Sequence, residues 1–168
     1  MINSIIRYTL IFIFLVLLQV LVFDNIQFSG YVNPYVYVMF ILLLPVEIPA
    51  WLLLLLSFAL GITIDLFSGS PGMHSSATLL AGFARPYVLR IISPRDGYEA
   101  GSEPSMLTYG FRWFLMYTVI IVLIHHTALF YLEVFRLSGF FRTFARVLVS
   151  SFFSISFILI LEYYRKGK

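Results

Sequence analysis

Six stretches of predominantly apolar residues alternate with short polar segments along the chain. A membrane-spanning helix needs about 20 mostly apolar residues, and most of the stretches approach that length. The pattern therefore predicts an all-α integral membrane protein with one polytopic domain over residues 1–168. Its six transmembrane helices are expected at residues 5–23, 34–46, 50–67, 75–92, 106–132 and 143–163.

Two of these predicted helices depart from the simple pattern. The second begins at Pro34 and ends in the sequence Pro-Val-Glu-Ile-Pro, whose prolines remove backbone donors and break a helix. The fourth is interrupted by the pair Arg85 and Pro86, so it is either a kinked span or a re-entrant segment.

Composition supports the membrane class and excludes several others. Hydrophobic residues make up 61% of the chain and charged residues 11%, whereas average soluble domains hold about 45–50% and about 25%. So few charges cannot cover a globule, which excludes a soluble enzyme, a disordered chain and a nucleic-acid-binding domain. The absence of cysteine excludes disulfides and thiolate metal sites. No cofactor is expected.

The distribution of basic residues predicts the topology. In membrane proteins the cytoplasmic loops carry an excess of Lys and Arg. With six spans and both termini in the cytoplasm, eight basic residues lie at the inner side and three at the outer side. An odd number of spans would place either Arg7 or the basic C-terminal tail outside. The inner set is Arg7, Arg85, Arg90, Arg95, Arg112, Arg165, Lys166 and Lys168, and the outer set is Arg136, Arg142 and Arg146.

The third predicted helix carries small residues and one carboxylate at a spacing of four. Ser57, Gly61, Asp65 and Gly69 share one helix face if the helix extends that far. Small residues on such a face let a second helix approach closely. Pro71, Gly72 and His74 follow in the next turn, and all seven residues are candidates for partner binding or packing.

Asp65 has two possible roles. A charged group inside the bilayer is costly, so it can mark an ion, proton or substrate path. Alternatively, its carboxylate accepts hydrogen bonds from the backbone of the following turn or pairs with His74. The second role is favoured, because Asp65 lies only a few residues before that turn.

The remaining polar residues do not form a catalytic pattern. His125 and His126 are adjacent on a helix, so they point about 100° apart and cannot chelate one metal from one face. The sequence contains no nucleophile-elbow, zinc-protease or phosphate-loop motif. We therefore expect no enzyme, no metal site and no catalytic residue.

The segment from Gly61 to His74 (GITIDLFSGSPGMH) resembles the signature segment of the MreD family of bacterial rod-shape-determining proteins. That segment has the form Gly-x3-Asp, a short apolar link, and then Gly, Pro and Gly before the next helix. The chain length, N-terminal anchor, six-helix count and basic tail also match the family. The short second helix and the Arg85–Pro86 pair fit no family pattern.

The resemblance implies a non-enzymatic subunit of the cell-wall elongation machinery in the bacterial cytoplasmic (inner) membrane. Family members bind MreC, which has a single membrane anchor, and associate through it with a peptidoglycan glycosyltransferase and transpeptidase. Their fold is similar to the substrate-binding subunits of ECF-type vitamin importers. The expected partners are therefore MreC and the lipid bilayer, without nucleic acid.

Two functional hypotheses follow. In the first, the face formed by Ser57, Gly61, Asp65 and Gly69, together with the following turn, receives the MreC anchor. In the second, the chain is the substrate-binding subunit of a small-molecule transporter, which needs polar groups converging on an apolar pocket. The polar residues expected near the outer face for that role are Asn25, Gln27, Asn33, Asp65 and His74.

Overall fold

A computed structural model describes residues 2–25, 32–99, 101–134 and 139–166. The chain is all-helical, with 78% helix and no strand in this described part. Its helices are α1 (Ile2–Leu21), α2 (Met39–Leu43), α3 (Ala50–Ser68), α4 (Met73–Ile91), α5 (Met106–Tyr109), α6 (Phe111–Val134) and α7 (Phe140–Lys166), and a 3-10 turn (Phe23–Asn25) follows α1.

Four helical stretches among the described residues are long and apolar enough to cross a membrane, which indicates a membrane-embedded protein. They are Ser4–Asn25, Ala50–Ser68, Phe111–Val134 and Phe140–Arg165. Along the chain, α3 packs against α4, α4 against α6 and α6 against α7, while α1 contacts α3. Large apolar side chains such as Leu66 and Phe141 remain exposed on the outside of this bundle, as a lipid-facing surface requires.

The two ends of the bundle are distinguished by their polar contacts. At one end, Tyr8 of α1 donates a hydrogen bond to Glu103 over 2.9 Å, and Arg165 of α7 lies 3.9 Å from the same carboxylate. The N-terminal part of α1 and the C-terminal part of α7 therefore lie at the same end of the bundle, which we call the Glu103 end. At the opposite Asp24 end, the Ser68 hydroxyl at the end of α3 donates to Asp24 over 3.3 Å.

The prediction of a second helix over residues 34–46 is wrong. Only α2 within this stretch is helical, and the remainder is irregular. Every residue from Val36 to Leu44 is at most 2% exposed, so the protein surrounds it completely. We call residues 32–46 the buried segment. Irregular backbone at membrane depth is tolerated only where protein or a water-filled cavity surrounds it.

Side chains from neighbouring helices replace the missing helical hydrogen bonds at the start of the buried segment. Gln19 of α1 accepts from the Val36 backbone N–H over 2.8 Å and donates to the Pro34 carbonyl over 3.1 Å. The Ser154 hydroxyl of α7 accepts from the Tyr35 N–H over 2.8 Å. These bonds satisfy backbone groups that have no helical partner in this irregular stretch, which begins at a proline that has no N–H donor.

Arg85 serves the other end of the buried segment. Its guanidinium donates to the carbonyls of Pro45, over 3.2 Å, and Leu44, and its Nε donates to the Tyr117 hydroxyl over 2.7 Å. Arg85 is 1% exposed, so it neither snorkels to the surface nor pairs with a carboxylate of the described residues. Backbone carbonyls at the end of a helix carry partial negative charge, which favours a cation there.

Other helix boundaries in the structure differ from the predicted ones. The helix predicted over 106–132 is divided into α5 and α6, because Gly110 adopts φ 85°, which a helix cannot contain. The fourth helix begins at Met73 rather than at 75, and it continues through Pro86 to Ile91. The first and sixth helices extend over 2–21 and 140–166, where 5–23 and 143–163 were expected.

Candidate functional site

The face of α3 that carries the small residues packs against α4 of the same chain. A Cβ atom built on Gly61 would lie 2.7 Å from the Ser75 backbone nitrogen, and still closer to the Ser75 Cα and the Thr78 hydroxyl. A Cβ atom on Gly82 of α4 would lie 2.9 Å from the Ser57 Cβ. Ordinary carbon contacts are about 3.5–4.0 Å. Both helices therefore require glycine to approach this closely.

Asp65 fastens the beginning of α4 to the end of α3. Its carboxylate accepts hydrogen bonds from the backbone N–H groups of Gly72 (3.1 Å), His74 (2.9 Å) and Ser75 (3.0 Å). The hydroxyls of Ser70 (3.2 Å) and Ser75 donate to it as well. The first N–H groups of a helix have no partner within the helix, and a carboxylate is stabilised there. Asp65 therefore has the structural role that the sequence favoured.

The turn between α3 and α4 places the other motif residues at the Asp24 end. Gly69 and Gly72 adopt φ 63° and 86°, in the left-handed region that favours glycine. Gly69, Pro71 and Gly72 are exposed, whereas His74 is buried. The seven candidates therefore divide into buried packing residues (Ser57, Gly61, Asp65 and His74) and an exposed turn (Gly69, Pro71 and Gly72).

The open docking face expected on α3 is thus covered by α4. A neighbouring groove of about 320 Å³, which we call the hairpin groove, remains beside it on the α3–α4 surface. Asp65, Pro71 and Gly72 contribute to its lining, so part of the motif reaches this surface. The complete lining is Phe58, Ile62, Asp65, Leu66, Pro71, Gly72, Ser75, Ser76 and Leu79.

A chain of buried polar groups crosses the interior of the bundle. The Tyr37 hydroxyl of the buried segment lies 2.7 Å from His74 Nδ1 and 2.8 Å from His125 Nε2. His125 and His126 are in contact through their Nδ1 atoms at 3.4 Å, and His126 Nε2 is 2.9 Å from the Ser154 hydroxyl. Within the described residues, no group of three or more potential ligands is arranged to hold a metal ion.

The sequence pattern did not predict this network, although His125 and His126 stand next to each other in the sequence. Tyr37 connects α4 to α6 from a segment that was predicted to be a regular helix. The available signal was the presence of several polar and aromatic residues in otherwise apolar stretches, since buried polar groups in a membrane protein need partners.

A cavity of about 510 Å³ opens at the Asp24 end, and we call it the end cavity. Asn25, Asn33 and His74, which were expected to line a ligand pocket, do contribute to its walls. Asp65 lies in the hairpin groove instead, and Gln27 lies outside the described residues. The described lining is completed by Val20, Phe23, Asp24, Tyr35, Phe67, Ser68, Gly69, Ser70, Met73, Leu129 and Glu133.

Comparisons with protein-family models, with curated proteins and with solved structures found no match to this chain. Its function is therefore inferred from the geometry of the hairpin and the end cavity, and from the resemblance carried by residues 61–74.

Proposed function

We propose that the chain is a non-enzymatic membrane subunit of the bacterial cell-wall elongation machinery, related to MreD, that helps to maintain cell shape by binding MreC. The observation that carries this proposal is the position of the motif. Residues 61–74 build a fixed helical hairpin, and Asp65, Pro71 and Gly72 border a largely apolar groove on its surface. A largely apolar groove beside closely packed helices supports association with another helix.

We further propose six membrane crossings, with both termini in the cytoplasm and the Asp24 end facing outwards. In this topology the buried segment and α4 are the second and fourth crossings, and α4 matches α3 in length at 19 residues. Surrounding protein allows the second crossing to be irregular. The fold would then be similar to that of the substrate-binding subunits of ECF-type importers. The protein would lie in the bacterial inner membrane.

The described arginines support this orientation. Six of them belong to the Glu103 end and two to the Asp24 end. An excess of basic residues is typical of the cytoplasmic side. The first set is Arg7, Arg85, Arg90, Arg95, Arg112 and Arg165, and the second set is Arg142 and Arg146.

The MreC anchor packs into the hairpin groove in this proposal. Helices in a bilayer associate through close packing and a few polar contacts, since lipid chains are as apolar as leucine. The groove lining includes the small residues Gly72 and Ser76 as well as the larger side chains of Ile62 and Leu79. Through MreC the chain would associate indirectly with the peptidoglycan glycosyltransferase and transpeptidase.

Co-purification of MreC from membranes tests this proposal. Ser76→Phe fills the hairpin groove, and Ser156→Phe on α7 is the matched control. The two serines are equivalent locally, because each hydroxyl donates to the carbonyl four residues earlier, over 2.6 Å for Ser76 and 2.8 Å for Ser156. We expect Ser76→Phe to reduce MreC recovery about tenfold, and the control to leave it unchanged. Equal recovery with both folded variants would exclude the groove.

The end cavity favours a second function, that of a substrate-binding subunit of a small-molecule transporter. Ligand pockets typically have volumes of about 300–1,000 Å³ and combine apolar walls with a few converging polar groups. The end cavity has a volume in this range, and its described lining combines aromatic and other apolar side chains with many polar ones. A vitamin-sized molecule that co-purifies with the chain in native mass spectrometry would support this function. A stable complex with a single-anchor protein and no ligand would support the first proposal instead.

A further inference from the structure

Two carboxylates define the electrostatic character of the end cavity. Among its described lining residues, Asp24 and Glu133 are acidic and none is a lysine or arginine. Glu133 is paired with Arg146 at 3.0 Å. Asp24 instead accepts hydrogen bonds from two neutral donors, the Gln19 amide at 2.8 Å and the Ser68 hydroxyl at 3.3 Å. No cationic group of the described residues forms an ion pair with Asp24.

The hydrogen-bond chain of the interior determines which atom His74 presents to this cavity. His126 Nδ1 is 3.0 Å from the Val122 carbonyl, which can only accept, so this nitrogen carries the proton. His126 Nε2 then accepts from the Ser154 hydroxyl. A buried imidazolium without an ionic partner is costly, so each of these histidines carries a single ring proton.

The same reasoning extends from His125 to His74. His125 Nδ1 faces the protonated Nδ1 of His126, so His125 Nδ1 is the acceptor of this contact. The ring proton of His125 therefore lies on Nε2, which donates to the Tyr37 oxygen. The Tyr37 hydroxyl consequently donates to His74 Nδ1. His74 therefore carries its own proton on Nε2.

His74 Nε2 is a donor without a hydrogen-bond acceptor among the described residues. The only hydrogen bond of this ring to another described side chain is made by Nδ1. His74 is 5% exposed, and it lines the end cavity. Because His74 lines the end cavity, its Nε2–H can donate to an acceptor on a molecule that occupies the cavity.

We propose that the end cavity binds a small organic cation that carries both a protonated amine and a hydrogen-bond acceptor. The ammonium group pairs with the Asp24 carboxylate, and the acceptor receives the His74 Nε2–H. Aromatic walls from Phe23, Tyr35 and Phe67 cover the apolar part of the ligand and favour a positive charge. This inference rests on the second proposed function, for which it names the ligand class.

Tyramine and tyrosol provide a matched pair of probes. Both carry a phenol hydroxyl that can accept a hydrogen bond, but tyramine has an ammonium group where tyrosol has a neutral hydroxyl. Binding is measured by calorimetric titration of the purified full-length protein in nanodiscs. The protein variants are Asp24→Asn, which keeps an acceptor for Gln19, and Glu47→Gln as the control. Glu47 is an exposed carboxylate outside the end cavity, so the control removes the same charge elsewhere.

We expect tyramine to bind at least about tenfold more tightly than tyrosol, because hydrogen bonds to charged groups are the stronger ones. Asp24→Asn should remove that preference, and Glu47→Gln should retain it. Glu133→Gln, which also reduces the negative charge of the cavity, provides a second test if Asp24→Asn does not fold. Equal binding of the two probes, or a tyramine preference that survives Asp24→Asn, would overturn the inference. If Asp24→Asn does not fold, a tyramine preference that is unchanged by Glu133→Gln would overturn it, since this substitution also removes the carboxylate that pairs with Arg146.

The failure of this inference is distinguishable from failure of the transporter proposal. A neutral or anionic molecule that co-purifies in the cavity would contradict the cation assignment and would still support the transporter function. A protein that retains no molecule and binds neither probe would contradict both.

Discussion

The close approach of α3 and α4 makes Gly61→Ala strongly destabilising. The added methyl group would lie 2.7 Å from the Ser75 backbone nitrogen, and the backbone cannot rotate away as a side chain can. Restoring a normal contact of about 3.5 Å requires the two helices to separate by about 1 Å. Overpacking of this kind costs about 1–3 kcal/mol. We expect a loss of about 2–3 kcal/mol in the free energy of unfolding.

Gly82 offers a comparison in which the obstacle is a side chain. A methyl group there meets only Ser57 within 3.5 Å, and the next atom, the Leu53 carbonyl oxygen, is 3.9 Å away. Ser57→Gly should therefore relieve Gly82→Ala, with a coupling energy of about 1–2 kcal/mol. Thr78→Ala should not relieve Gly61→Ala, because the Ser75 backbone remains in place.

The free energy of unfolding is measured by SDS titration in mixed micelles, followed by circular dichroism. Wild type, the four single variants and the two double variants complete both thermodynamic cycles. Wild-type stability of Gly61→Ala would show that α3 and α4 are not packed in this way. Rescue by Thr78→Ala would show that the contact involves side chains alone.

Two further substitutions test the polar anchors of the fold. Asp65→Ala leaves three backbone N–H groups at the start of α4 without their acceptor, and we expect about 3 kcal/mol lower stability in the same titration, with Asp65→Asn less affected. An unchanged stability would contradict the anchoring role. Arg85→Met leaves the Leu44 carbonyl without its donor and leaves the Pro45 carbonyl only the Ile48 N–H, at 3.4 Å. We therefore expect amide hydrogen exchange in residues 39–46 to accelerate about tenfold or more, with Arg90→Met as the exposed control. Equal exchange in the two variants would show that Arg85 does not hold the segment.

Much of the helical pattern could be predicted from hydrophobic stretches, because a long apolar run in a membrane protein has few alternatives to a helix. The structural role of Asp65 could also be predicted, since a carboxylate close to a glycine-rich turn finds backbone donors locally. The buried segment could not. Its irregular shape depends on Gln19 and Ser154, which approach it from distant parts of the chain.

The same limit applies to the candidate site. Helical spacing correctly placed Ser57, Gly61 and Asp65 on one face, but spacing does not state which helix covers that face. The covering helix is α4, because Gly82 of α4 has no side chain and leaves room for Ser57 of α3. The tautomers of the histidine network likewise follow only from contacts between four separate elements.

The most direct test of the central claim is site-specific photocrosslinking in living cells. A photoreactive residue replaces Leu79 in the hairpin groove, and in a second strain it replaces Leu148, which is exposed on α7. The proposed docking predicts a crosslink to the MreC anchor from position 79 and none from position 148. A crosslink from position 148 alone, or from neither position while MreC still co-purifies, would contradict the assignment of the hairpin groove as the partner site.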